Sequence, residues 1–130
     1  MIKIIIFVLL SIQLNAQMYI SSDWHYFTKY NEDTKEYDLI EEINKFNYFE
    51  LSKGLKTIKH TCSDFDTNYI IKTVDEKEKG LWVFKVVSDI GNDYTFIVDI
   101  NNQNIRLMMK QNEEVYMLQY TIKKSWTDEE

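Results

Sequence analysis

Apolar and polar residues alternate one for one along most of this chain, most clearly from Leu81 to Ile100, LWVFKVVSDIGNDYTFIVDI. Successive side chains of a strand point to opposite faces, so Trp82, Phe84 and Val86 share one face and Val83, Lys85 and Val87 the other. In the second half Tyr94, Phe96 and Val98 alternate with Thr95, Ile97 and Asp99. Between the halves lie Ser88, Asp89, Gly91, Asn92 and Asp93, whose polar side chains bond local backbone and whose glycine takes positive φ without a Cβ clash. The stretch predicts an antiparallel β-hairpin.

The same period of two recurs on either side. Ser21 to Tyr30 predicts a strand with Trp24, Tyr26 and Thr28 on one face and His25, Phe27 and Lys29 on the other. After the polar turn NEDT, Glu36 to Ile43 predicts a second strand with Tyr37, Leu39 and Ile43 inward. Helical spacing of Leu39, Ile40, Ile43 and Phe46 also fits there, and the tight turn before it favours the strand. Phe46 to Leu51, Lys56 to Cys62 (with Ile58, His60 and Cys62 on one face) and Asn68 to Val74 follow, and a charged loop, Asp75 to Gly80, leads into the hairpin. Beyond it Ile105 to Lys110 and Val115 to Lys124 complete the set, the last with Tyr116, Leu118, Tyr120 and Ile122 on one face. Eight or nine short strands with brief connections predict an all-β antiparallel meander, shaped as a small barrel or a sandwich.

Composition supports strands: the only alanine is Ala16, proline is absent, and Ile, Tyr, Phe, Val and Thr are plentiful. The N-terminus is different in kind. Lys3, the apolar run Ile4 to Leu10, and then Gln13, Asn15 and Ala16 have the pattern of a secretory signal peptide cleaved after Ala16. That run is far short of the roughly 20 residues that cross a bilayer. The expected organisation is a leader over residues 1–16 and one domain over 17–130, exported to a periplasmic or extracellular compartment, with no membrane span once the leader is gone.

Removing the leader takes one lysine and no acid, leaving 14 basic and 21 acidic side chains. Such a surface repels phosphate and argues against nucleic acid as a partner. The lone Cys62 permits no internal disulfide and there is no Asn-x-Ser/Thr sequon, so stability must come from the core.

With a signal peptide, an early strand carrying Trp24 and a train of antiparallel hairpins, the layout resembles that of the lipocalins and the wider calycins. Ser22 stands where the lipocalin signature has a glycine two residues before its tryptophan, and Lys123 and Lys124 stand where it has an arginine. The resemblance implies a small barrel that encloses one apolar ligand, and it transfers no binding residues.

Three clusters invite a metal. Asp64, Asp66 and Asn68, with Asp75 further on, have calcium-loop spacing, but Tyr69 replaces the glycine that such a loop turns on. Ser88, Asp89, Asn92 and Asp93 gather oxygens in a turn that needs them for its backbone. His25, His60 and Cys62 could ligate zinc or copper if their strands met, though a buried cysteine is ordinarily a small hydrophobe. No metal or cofactor is therefore expected. The chain has no G-x-S-x-G, H-E-x-x-H or C-x-x-C motif and no phosphate-cradling glycine loop, so an enzyme is not expected either. The leading expectation is a non-catalytic binding module with a small apolar ligand among Trp24, Tyr26, Trp82, Phe84, Tyr94 and Phe96. The alternative is a protein-interaction module, an acidic inhibitor, immunity-type or cell-envelope assembly protein, that uses exposed aromatics.

Overall fold

The computed structural model describes residues 17–127, within which the chain forms eleven strands and no helix. In chain order they are β1 (Met18–Ser22), β2 (His25–Asn31), β3 (Glu36–Ile43), β4 (Asn47–Leu51), β5 (Thr57–Cys62) and β6 (Asp66–Glu78). Then come β7 (Leu81–Ser88), β8 (Asp93–Asp99), β9 (Asn104–Gln111), β10 (Glu114–Thr121) and β11 (Lys124–Thr127). All pairings are antiparallel, in one sheet of order β11-β1-β4-β5-β6-β7-β8-β9-β10-β2-β3. The meander is as expected, but among the described residues the sheet is not closed, because β11 and β3 are its edges, and no second sheet stacks on it as in a sandwich. The leader assigned to residues 1–16 lies outside the described residues.

The hairpin that the alternation marks out is β7 with β8. Phe84 stands opposite Phe96 and Trp82 opposite Val98, and these four side chains are buried together with Val86. In the turn, Ser88 Oγ accepts the Asn92 N–H at 3.1 Å and the Ser88 N–H donates to the Asn92 carbonyl at 2.8 Å. The turn's polar residues thus serve its backbone.

The sheet curves strongly. Phe49 on β4 and Phe96 on β8 are four places apart in the strand order, so a flat sheet would separate them by about 19 Å at about 4.8 Å per strand. Their ring centroids are 6.0 Å apart. The inner faces of β1 and β4–β10 therefore meet in one core that includes Ile20, Phe49, Ile58, Phe84, Phe96, Ile105 and Tyr120. Burying side chains of this size stabilises by roughly 1.5–3 kcal/mol each.

Two breaks in long strands explain why there are eleven elements instead of eight or nine. Ser22 Oγ bonds both the Trp24 carbonyl at 3.0 Å and the Trp24 N–H at 3.3 Å, and this local alternative to the ladder separates β1 from β2. β10 and β11 are interrupted at the same level. Across the gap the Thr121 N–H donates to Trp24 O at 3.1 Å and the Lys123 N–H to Ser21 O at 2.8 Å. As a result β1 lies between β11 and β4, while its continuation β2 lies between β10 and β3.

Two local expectations are corrected. Asp75 to Gly80 is not a charged loop: β6 runs on through Glu78, with Asp75 opposite Val83 and Glu76 opposite Trp82, and pairing with β7 outweighs the weak strand propensity of acids and lysines. That continuous strand also removes any calcium loop from Asp64 to Asp75. Glu36 to Ile43 is a strand, as expected, but Leu39 does not face inward. It is 59 % exposed, because β3 is an edge with an irregularity beside it.

Candidate functional site

The inner face of β5 carries Ile58 and His60, and that of β4 carries Asn47, Phe49 and Leu51, all buried. An asparagine in an apolar alternation needs partners, since a buried amide without hydrogen bonds is costly. Asn47 finds them in the two histidines. Asn47 Oδ1 lies 2.8 Å from His60 Nε2, and because a carbonyl oxygen only accepts, His60 must carry its proton on Nε2. Asn47 Nδ2 donates to the Lys45 carbonyl at 3.1 Å and faces His25 Nδ1 at 3.4 Å. The roll of the sheet thus brings His25 and His60, from β2 and β5, onto one amide.

Burial disfavours the charged form of both imidazoles. Burial, then the neighbouring His25, pushes His60 down to about 4. Burial, then the Lys45 ammonium, lowers His25, with Glu41 opposing. His60 Nε2 is engaged, but its Nδ1 is buried and has no hydrogen-bond partner. The ring is 1 % exposed, stacks on Phe49 with centroids 4.3 Å apart, and meets the edges of Phe65 at 5.1 Å and Tyr120 at 5.5 Å.

His60 also lines a pocket of about 220 Å³ with Phe65, Thr67, Tyr69, Tyr94, Leu107, Met109, Leu118 and Tyr120. The lining contains no acid, lysine or arginine, and burial holds the phenols of Tyr69 and Tyr120 well above the usual tyrosine range. Larger clefts of about 560 Å³ beside Lys29 and Asp38, and about 320 Å³ beside Lys85 and Lys110, are bordered by charged side chains.

The six aromatics singled out by the alternation do not share one cavity. Trp82, Phe84 and Phe96 belong to the packed core. Tyr94 packs against that core and reaches the pocket, its ring edge-on to Tyr69 at 5.6 Å. Trp24 sits in the break between β1 and β2, and Tyr26 lies opposite Glu42 and Gln119. Nothing in the alternation assigns Asn47, Phe65, Tyr69 or Tyr120 to a binding site. The available signal was Asn47 itself, a polar residue in phase with Phe49 and Leu51.

No group of three or more metal-ligating side chains occurs among the described residues. Asp64 instead pairs with Lys45, and Asp75 with Lys77. On the outer face a row of rings crosses β11, β1 and β4: Trp126 to Tyr19 at 5.5 Å, Tyr19 to Tyr48 at 6.1 Å, and Tyr48 to Phe46 at 6.5 Å. Compared with known proteins, this chain matches no family model, no curated protein and no solved structure.

Proposed function

We propose that this protein is an exported, non-catalytic binding module, with a barrel-like roll of its sheet in the manner of the lipocalins, that holds a small ligand in the pocket at His60. The His60 imidazole carries this reading: it is almost wholly buried, fixed as the Nε2–H form by Asn47, and left with an unsatisfied Nδ1. An unmade hydrogen bond of this kind costs about 1–3 kcal/mol. A ligand N–H or O–H reaching Nδ1 offsets that cost. Phe65, 47 % exposed and edge-on to the imidazole, is the side chain that shifts to admit it.

The other lining groups favour a neutral, largely apolar or aromatic molecule, because an anion would lose its hydration with no cation to replace it. The acidic surface argues against nucleic acid, and export rests on the leader pattern of residues 1–16. Native mass spectrometry of protein purified from its own host tests the reading. A retained small molecule, lost when Leu107→Trp fills the pocket, is expected; ligand-free protein, or retention unchanged by that substitution, counts against it.

A protein-contact role is the second reading, favoured by the outer row Trp126, Tyr19, Tyr48 and Phe46, since aromatic side chains supply much of the energy at interface centres. Serine at Phe46 and Trp126 would then abolish partner binding and leave the pocket ligand in place.

A further inference from the structure

Independently of the pocket, one edge of the sheet is equipped for a partner. Among the described residues β3 pairs with β2 alone, and none of their strands neighbours its other side over eight residues. Opposite β2 the register slips at Ile40: Glu41 faces Phe27 and Leu39 faces Thr28. One extra residue breaks the alternation, and the adjacent Leu39 and Ile40 are 59 % and 51 % exposed. Every charge on this strand is negative, at Glu36, Asp38, Glu41 and Glu42. Ile40 and Asp38 also form one wall of the cleft of about 560 Å³, whose other carboxylates are Glu32, Glu113 and Glu114 and whose one cation, Lys29, is held by Glu114 at 2.6 Å.

Charged side chains and a bulge blunt an edge against indiscriminate pairing. They do not account for two large aliphatic side chains standing in water at its centre. A second copy in antiparallel alignment would set acid against acid, which is destabilising. We propose that β3 and its cleft accept an extended, lysine- or arginine-rich segment of another protein, which adds as a strand and lays an apolar side chain on Leu39 and Ile40. Strand addition draws affinity from main-chain hydrogen bonds and specificity from alternate side chains. Cross-strand pairs between its cations and Glu36, Asp38, Glu41 and Glu42 supply steering and register.

The probe is a synthetic peptide of alternating lysine and valine, about eight residues long, titrated into the ¹⁵N-labelled full chain beside a glutamate–valine control. The expected result is binding with shift changes confined to β3 and the cleft, weakened about tenfold or more as salt rises from about 50 to about 500 mM. The double substitution Leu39→Lys with Ile40→Lys is expected to weaken binding about tenfold while, as a surface change, leaving the urea midpoint of unfolding essentially unmoved. Absent binding, shifts elsewhere, equal binding of the glutamate peptide, or indifference to the double substitution would each overturn the proposal. So would a concentration-dependent dimer through β3 seen by sedimentation.

Discussion

Phe49 and Tyr120 meet edge to face with ring centroids 5.1 Å apart, although β4 and β10 are six places apart in the strand order. This contact exists only because the sheet rolls, and it packs Phe49 against Tyr120, a residue that lines the pocket. Truncation at the centre of the roll should therefore be severe. Phe49→Ala is expected to cost about 3–5 kcal/mol through lost burial and the cavity left behind. The same truncation at Phe46, 54 % exposed, should stay within about 0.5 kcal/mol. Urea unfolding of the two variants makes the comparison.

His60 gives the fold a definite pH dependence. Its folded pKa is depressed to about 4, while the unfolded chain protonates near the ordinary value of 6.5. Between those values the unfolded state binds more protons, so stability present above pH 6.5 is lost as pH falls towards 4, by on the order of 3 kcal/mol. Its imidazole resonances should not titrate until close to pH 4. In His60→Gln the fall in unfolding free energy over that window should be shallower than in the parent.

Asn47 supports both imidazoles, so its two substitutions should separate. Asn47→Leu leaves buried ring nitrogens without their amide and should cost roughly 2–4 kcal/mol. Asn47→Asp places a carboxylate against both rings and should raise the pKa of His60, reversing the direction of its present shift. Imidazole titration by NMR in the aspartate variant checks the sign.

Gly80 and Gly91 both have positive φ, 86° and 90°, but differ in surroundings. A Cβ on Gly80 would lie 2.9 Å from Asn101 Nδ2, which donates to the Lys79 carbonyl at 2.8 Å, whereas a Cβ on Gly91 meets nothing within 4 Å. Gly91→Ala should cost about 1–2 kcal/mol from backbone strain alone. Gly80→Ala should cost more, and Asn101→Ala should relieve only that excess. Thermal unfolding of the three variants and the double variant decides it.

The alternation made the inner faces of β5, β7, β8 and β9 legible, because period two is insensitive to how the sheet bends. It failed at β3, where an edge position and a slipped register expose Leu39, and at the far end of β6, where charged residues are strand only through pairing with β7. The pocket was half legible. Alternation groups His60 with Ile58 and Cys62, and Tyr120 with Tyr116, Leu118 and Ile122, but the meeting of these two with Asn47 and His25 depends on the roll of the sheet, with β1/β2 and β10/β11 interrupted near Trp24 and Lys123. Those breaks rest on local hydrogen bonds such as that of Ser22, which leave no periodic trace.

The central claim is that the pocket at His60 takes a small hydrogen-bond donor. Its most direct test is titration of the full chain with indole and with N-methylindole, read from the side-chain NMR signals of His60, Tyr69, Tyr94 and Tyr120. Indole is expected to shift these signals and to bind more tightly than its N-methyl form, with the difference abolished in His60→Phe. No response of these four side chains to either compound would contradict the claim.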